Sequence, residues 1–250
     1  MIYHNCIKNF LTKTIIEIPT PSNISLIWNF GSLLGIRMFI QVLSGFFLSI
    51  HYVNHIQYAF FSYITFPHFI KEGIILQIIH AHISSLIFII IYVHILKRLL
   101  NKSFKKKRIW LSGNIILIIT IMSAFLGYVL PWGQISFWGA TVITNILSSI
   151  PFLGNKITNW VWGGFTVDNP TLNRFFSIHF LVPFIILFFS IIHLSFLHEK
   201  GSSNQLGVNS NKDKIIFGKS FIFKDLISIT ILISIYFFFF FFYWSSFQYG

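Results

Sequence analysis

Four histidines share a spacing that suits metal chemistry. His80 and His94 are fourteen residues apart, and so are His179 and His193. Fourteen residues of α-helix rise about 21 Å and complete almost four turns, so both members of a pair face one way at two heights. If the two segments are parallel helices, His80 meets His179 at one height and His94 meets His193 at the other. Two imidazoles facing each other inside a helical bundle are the ligand set of a bis-histidine heme. The chemistry would be one-electron transfer at iron. A single intramembrane histidine is as well explained by a cavity or a polar neighbour, but two pairs of identical spacing weigh against that. The competing class is a heme-free transporter or channel whose histidines relay protons, and a reduced-minus-oxidised spectrum separates the two. His82, two residues after His80, points elsewhere on the helix and is expected to be a neighbour, not a ligand.

Glycines repeat the same period. Gly31 and Gly45, and Gly113 and Gly127, are each fourteen apart. A porphyrin edge needs a patch of helix free of side chains. The topology therefore predicts Gly31 and Gly113 at the His94/His193 height and Gly45 and Gly127 at the His80/His179 height. Glycine is common in membrane helices for packing alone, so the shared period carries the argument.

The elements that must position these residues are apolar. The chain has 250 residues, 55% hydrophobic and 10% charged, against about a quarter charged in soluble domains. Stretches near the ~20 residues that cross a ~30 Å hydrocarbon core run over 28–52, 73–96, 109–129, 175–197 and 226–243. Backbone polar groups must be satisfied within lipid, so these are predicted to be helices. Residues 54–72 and 99–108 read as loops, and 199–224 as a polar loop. The connection 130–173 is aromatic and apolar and reads as short helices on the membrane surface. The expected fold is an all-α integral membrane protein: a four-helix di-heme bundle plus a fifth transmembrane helix, in one domain over 1–250.

Charge orients the chain. The formal net charge is +12. Lys8, Lys13, Lys97, Arg98, Lys102, Lys105, Lys106, Lys107, Arg108, Lys200, Lys212, Lys214, Lys219 and Lys224 fall on one side, and Lys71, Lys156 and Arg174 on the other. That is a positive-inside pattern. Arg37 lies inside the first span. Basic residues that flank spans, without forming a patch interleaved with aromatics, exclude a nucleic-acid partner; the expected surroundings are lipid. Cys6 is the only cysteine, so there is no C-x-x-C-H attachment motif and heme would be held non-covalently. Glu17 and Pro19 interrupt the start early, which fits neither a signal nor a transit peptide and suits synthesis inside an organelle or bacterial insertion. The run Phe237 to Phe242 fits an AT-rich coding genome.

The segment Gly127-Tyr128-Val129-Leu130-Pro131-Trp132-Gly133-Gln134, continuing to Asn145, closely resembles cytochrome b of respiratory complex III, the ubiquinol–cytochrome c oxidoreductase. So do Pro21-Ser22-Asn23-Ile24-Ser25, Trp28 to Gly35, Trp162-Gly163-Gly164-Phe165, Arg174-Phe175-Phe176, Phe196-Leu197-His198-Glu199 and Lys224-Asp225. The resemblance implies Q-cycle chemistry: quinol oxidised near the outer heme, electrons passed from the His80/His179 site to the His94/His193 site, and quinone reduced on the basic side. It implies two non-covalent hemes b and ubiquinone. By resemblance, His198, Ser202 and Asp225 line the quinone-reducing pocket, with Asn29, Phe217 and Lys224 nearby. Gly139, Tyr128 and Phe125 form one wall of the outer pocket, and Arg174 and Trp110 lie at heme propionates. The implied partners are the iron–sulfur protein and cytochrome c1-type subunits in a dimer of complexes. The implied location is the mitochondrial inner membrane, or alternatively a bacterial plasma membrane. The plastid-type relative fits less well, because its second histidine pair is one residue wider.

Gln77 and Lys97 stand where the family usually has arginines that pair with propionates, and His82-Ile83 replaces a common Asn-Gly. Such changes beside a ligand tune heme potential. The family also continues through three further spans and a Pro-Glu-Trp-Tyr motif that this sequence does not contain. The outer site is therefore expected to be completed by a second chain carrying those C-terminal spans.

Overall fold

The structure, a computed structural model, describes residues 17–209 and 213–248, without the side chains of Lys219 and of residues 235–248. Cys6, Lys8, Lys13, Lys212 and the side chains of Phe237 to Phe242 lie outside the described residues. Among those described, the chain forms eight α-helices: α1 (Phe30–Ser49), α2 (Ala59–Phe69), α3 (Gly73–Leu100), α4 (Lys107–Val129), α5 (Gln134–Asn145), α6 (Gly154–Trp162), α7 (Asn169–Lys200) and α8 (Phe217–Gln248). A 3-10 turn, Leu26–Asn29, leads into α1. Two short strands, β1 (Pro19–Pro21) and β2 (Lys214–Ile216), pair antiparallel with Pro19 opposite Ile216.

Four stretches are long and apolar enough to cross a membrane: Leu26–Ser49, Gly73–Leu100, Lys107–Val129 and Asn169–Lys200. They cover the first four expected spans, with different ends. The first helix stops at Ser49, three residues short of Tyr52. The fourth begins six residues before Phe175, at Asn169, and runs to Lys200. Its early start has a local cause. Pro170 sits in the first turn, where a missing N–H costs nothing, and the Thr171 hydroxyl accepts from the Asp168 N–H at 3.1 Å while donating to the Trp162 carbonyl at 2.7 Å. Farther along, Pro183 has no N–H to offer the carbonyl of His179, four residues back, yet the helix continues through it.

Two expected loops contain structure. Residues 54–72 carry α2, an 11-residue helix holding Pro67. The polar 199–224 connection supplies β2 and the start of α8, and Phe217 N donates to Ile18 O at 3.0 Å. The short helices expected within 130–173 are α5 and α6.

The chain divides into two compact units. One comprises Met1–Ile36, Ile89–Trp110 and His193–Gly250; the other comprises Arg37–Phe88 and Leu111–Ile192. In the second, Leu126, Val129, Ala140, Val167 and Phe175 form a buried cluster flanked by Phe125, Trp132, Phe137 and Trp162. It ties the end of α4 and the start of α7 to α5. Trp132, in the left-handed region at φ 54°, is held by its packing in this cluster and by its N–H on the Val129 carbonyl at 3.0 Å. Gly163, at φ +78°, ends α6 in the conformation that glycine adopts without strain. In the first unit, β1 and β2, the Trp28 indole N–H on the Ser203 carbonyl (2.7 Å) and the Lys224 ammonium on the Ile24 carbonyl (3.1 Å) bind the segment before α1 to the chain after α7.

One polar link in the second unit can be tested directly. The Trp162 indole N–H donates to Thr144 Oγ1 at 2.6 Å, and that buried hydroxyl donates to the Ala140 carbonyl. Thr144→Val keeps the volume but removes the acceptor. We expect a loss of about 1–3 kcal/mol, the cost of a buried donor left unmade, read as a lowered midpoint in detergent unfolding. Unchanged stability would show that the link contributes nothing.

Candidate functional site

In the second unit, His80 on α3 faces His179 on α7. Their ring centroids are 6.5 Å apart and their planes stand at 89°. An iron bonded to both Nε2 atoms at about 2 Å, the usual metal–imidazole length, would hold the centroids roughly 6 Å apart. The pair is therefore spaced for a metal between the rings, without needing to close or open.

Hydrogen bonds decide which nitrogen is available. His179 Nδ1 lies 2.9 Å from the Ser123 carbonyl. A carbonyl only accepts, so Nδ1 carries the proton and Nε2 keeps its lone pair. His80 Nδ1 lies 2.9 Å from Ser44 Oγ, and Ser44 Oγ donates to the Gln41 carbonyl at 3.1 Å. The Gln41 amide returns to the His80 carbonyl at 2.9 Å.

The glycines stand against these rings. A Cβ added at Gly45 would lie 2.8 Å from His80 Cε1, and one at Gly127 would lie 2.5 Å from His179 Cε1. Any larger residue would displace a ring. Both pairs line one mostly apolar cavity of about 790 Å³, which Gln77 and Tyr128 also reach. That volume is within the ~300–1,000 Å³ of sites that bury an organic ligand. Spacing, free Nε2 lone pairs and a side-chain-free wall fit a bis-histidine heme.

The first unit repeats part of this pattern. His94 on α3 and His193 on α7 lie within electrostatic reach of each other, and Arg98 within reach of both. His193 hydrogen-bonds the Ile109 backbone, fourteen residues before the Ser123 that serves His179. A Cβ on Gly31 would be 3.6 Å from His94 Cε1, ordinary contact where Gly45 is tight. Gly113, half-buried in α4, belongs to the second unit. Lys97 is only 4% exposed, with its ammonium 3.8 Å from the centre of the Trp28 ring. Trp110 packs edge-on against Phe104. Lys106 donates to the Gly201 carbonyl at 2.5 Å; burial, with Arg98 and Lys214 nearby, holds its ammonium below the usual lysine range.

The expected quinone residues are partly brought together. Ser32 Oγ donates to Asp225 Oδ1 at 2.7 Å, and Asn29 donates to Ser228 Oγ at 2.9 Å. Burial pushes the Asp225 carboxyl up, against the Ser32 hydrogen bond that favours the carboxylate. Lys224 uses its ammonium on Ile24 and over the Phe221 ring. His198 is exposed in the last turn of α7, and Ser202 is half-buried just beyond it. Among the described residues, no hydrogen bond links either of these two to Asp225.

Arg174 is committed elsewhere than the cavity. Its guanidinium donates to the Trp160 carbonyl and, at 3.3 Å, to that of Val161, capping the end of α6. Tyr128 lies beside Gly139, whose added Cβ would sit 3.9 Å from its ring. His82 is exposed, as its two-residue offset from His80 requires. Sequence reasoning missed Ser44 and Gln41. The available signal was a polar pair three residues apart in an apolar span, directly before Gly45.

Two comparisons bear on this arrangement. The fold is similar to that of a chain in the solved structure of a hyperthermophilic respiratory Complex III. The TM-score is 0.85 with 27% sequence identity, over 94% of this chain and 64% of that one. The chain thus spans somewhat under two thirds of the length of the protein it matches. The family model described as cytochrome b/b6/petB matches residues 15–201, a stretch that contains all four spaced histidines and the glycines beside them. Carrying that match over most of its length, the chain belongs to the cytochrome b/b6/petB family, whose prosthetic group is heme b.

Proposed function

We propose that this membrane protein is the heme-bearing cytochrome b subunit of a respiratory complex III. It carries electrons between an outer quinol-oxidising site and an inner ubiquinone-reducing site. The observation that carries the reading is the His80/His179 pair, 6.5 Å between ring centroids with both Nδ1 atoms already occupied. His94 and His193 hold the second heme. Bound heme b supplies reversible one-electron chemistry at each pair. His80 and His179 would hold the group, Gly45 and Gly127 clear space beside their rings, and apolar walls keep water out. Tyr128, Gly139 and Phe125 belong to the outer quinol pocket. The partners are the iron–sulfur protein and cytochrome c1-type subunits in a dimer of complexes. The membrane is the mitochondrial inner membrane or a bacterial plasma membrane.

At the inner site Asp225 acts as proton donor, with His198, Ser202 and Lys224 around the quinone. Reduction of quinone consumes protons, and a carboxyl raised by burial keeps its proton to higher pH than an exposed one.

Two measurements test this. The purified protein should carry two low-spin hemes per chain, both extractable by acid–acetone. His94→Leu should remove only the one on the basic side. One heme or none in folded wild type would defeat the reading.

The second measurement concerns pH. Quinone reduction at the inner site should slow as pH rises through the Asp225 pKa, because the carboxylate has no proton to give. Ser32→Ala removes a hydrogen bond that favours the carboxylate, so the same fall should move to higher pH. Asp225→Asn should lower the rate roughly a hundredfold or more, within the usual 10²–10⁴ range for general acids. A Ser32→Ala profile superimposable on wild type would rule out Asp225 as the donor.

A further inference from the structure

We propose that Ser44 is a positioning residue for His80: its hydroxyl accepts a hydrogen bond from Nδ1–H and thereby supports the tautomer, the plane and the electron donation of the ring. This rests on the reading that His80 and His179 hold a heme. A serine bonding back to a carbonyl three residues earlier is ordinary in apolar helices, and the Ser44 bond to Gln41 taken alone would mean no more than that. The second contact of the same oxygen, 2.9 Å from His80 Nδ1, is what goes further.

The proton count is short. Ser44 Oγ has one hydrogen and two neighbours, the Gln41 carbonyl at 3.1 Å and His80 Nδ1 at 2.9 Å. The carbonyl has no proton to give. Both contacts are hydrogen bonds only if Ser44 donates to Gln41 and His80 Nδ1 donates to Ser44. That leaves the Nε2 lone pair for metal. Ser44 is 3% exposed, so water does not compete for the ring. Gln41, one turn earlier on α1, holds the His80 backbone carbonyl at 2.9 Å. One turn of α1 therefore grips His80 at both its backbone and its ring, and Gly45, the next residue, lets the ring lie against the helix.

His179 and His193 use backbone acceptors, which substitution cannot delete. His80 also has the Gln41 backbone as a hydrogen-bond partner, and alone of the three it adds a side-chain acceptor, so part of the electron donation there is set by the identity of one residue. An acceptor on Nδ1–H makes the ligating nitrogen more basic, which favours the ferric state. Losing it favours the ferrous state.

The test uses the assembled complex in its native membrane or in detergent. Potentiometric titration and low-spin ferric electron paramagnetic resonance are recorded for wild type, Ser44→Ala, Ser44→Cys and Ser44→Thr. For the heme held by His80 and His179, Ser44→Ala should shift the reduction equilibrium toward the reduced form by about threefold to tenfold. At 59 mV per decade for one electron this is about 30–60 mV. Cysteine, a weaker acceptor of similar size, should give a smaller shift in the same direction, and threonine should restore the wild-type value. Near-perpendicular rings give a large g anisotropy, and freeing the His80 ring in Ser44→Ala should reduce it. The second heme should keep its potential throughout.

A Ser44→Ala protein with both hemes, wild-type potential and wild-type g values overturns the proposal. If that variant does not assemble, a cysteine variant at the wild-type potential does so equally. Failure of the underlying heme reading is visible separately, as one heme or none in the wild-type protein, and overturns both.

Discussion

A polar ring placed inside an apolar span has to be given a hydrogen-bond partner by another helix, since an unpaired buried donor costs about 1–3 kcal/mol and lipid offers no substitute. Three of the four spaced histidines show how. His179 reaches the Ser123 carbonyl of α4, His80 the Ser44 hydroxyl of α1 together with the Gln41 backbone, and His193 the Ile109 backbone. A helical carbonyl has a second lone pair to spare. For His179 and His80, satisfying Nδ1 this way leaves the Nε2 lone pair free, so on the proposed reading the bonds that make these histidines tolerable in lipid also suit them to hold a metal.

Glycine follows from the same contacts. For a ring on α3 to reach Ser44 of α1, the two helices must come close, and the imidazole then lies over the backbone of α1 at Gly45. Gly127 of α4 stands in the same relation to His179. At both positions even a methyl group would meet a ring atom within 2.8 Å. Gly31 is looser against His94, at 3.6 Å, so the repeat fixes where the rings lie and the tightness varies with the local approach. On the proposed reading, cofactor space and helix packing are one constraint at Gly45 and Gly127.

What could be read from the chain follows from this. Spans were legible because lipid demands long apolar runs, and the facing of His80 and His179 because helical geometry makes a fixed spacing repeat on one face. Helix ends were less legible: α7 begins at Asn169 because of Asp168, Thr171 and a buried Trp162 carbonyl, none of which alters hydropathy. α2 was read as a loop because Pro67 and flanking polar residues resemble a connection. β1 and β2 are three residues each and pair across nearly the whole chain, a contact no local pattern carries. Arg174 stood by resemblance at a propionate, yet its guanidinium serves the carbonyls that end α6. A helix C-terminus competes effectively for a nearby cation.

The two histidine pairs also differ in the charges around them, and on the proposed reading that difference has a direction. Among the residues lining the cavity of His80 and His179 there is no lysine or arginine. Around His94 and His193, Arg98 lies within electrostatic reach of both rings. Glu199 is shared between Arg108 and Lys200 at an exposed position, so it screens little of this field. An added electron is negative charge, and fixed cations in a low-dielectric setting favour it more than they would in water. On that reading electrons rest more stably at the His94/His193 pair, on the basic side that also carries Asp225, whose carboxyl burial pushes up.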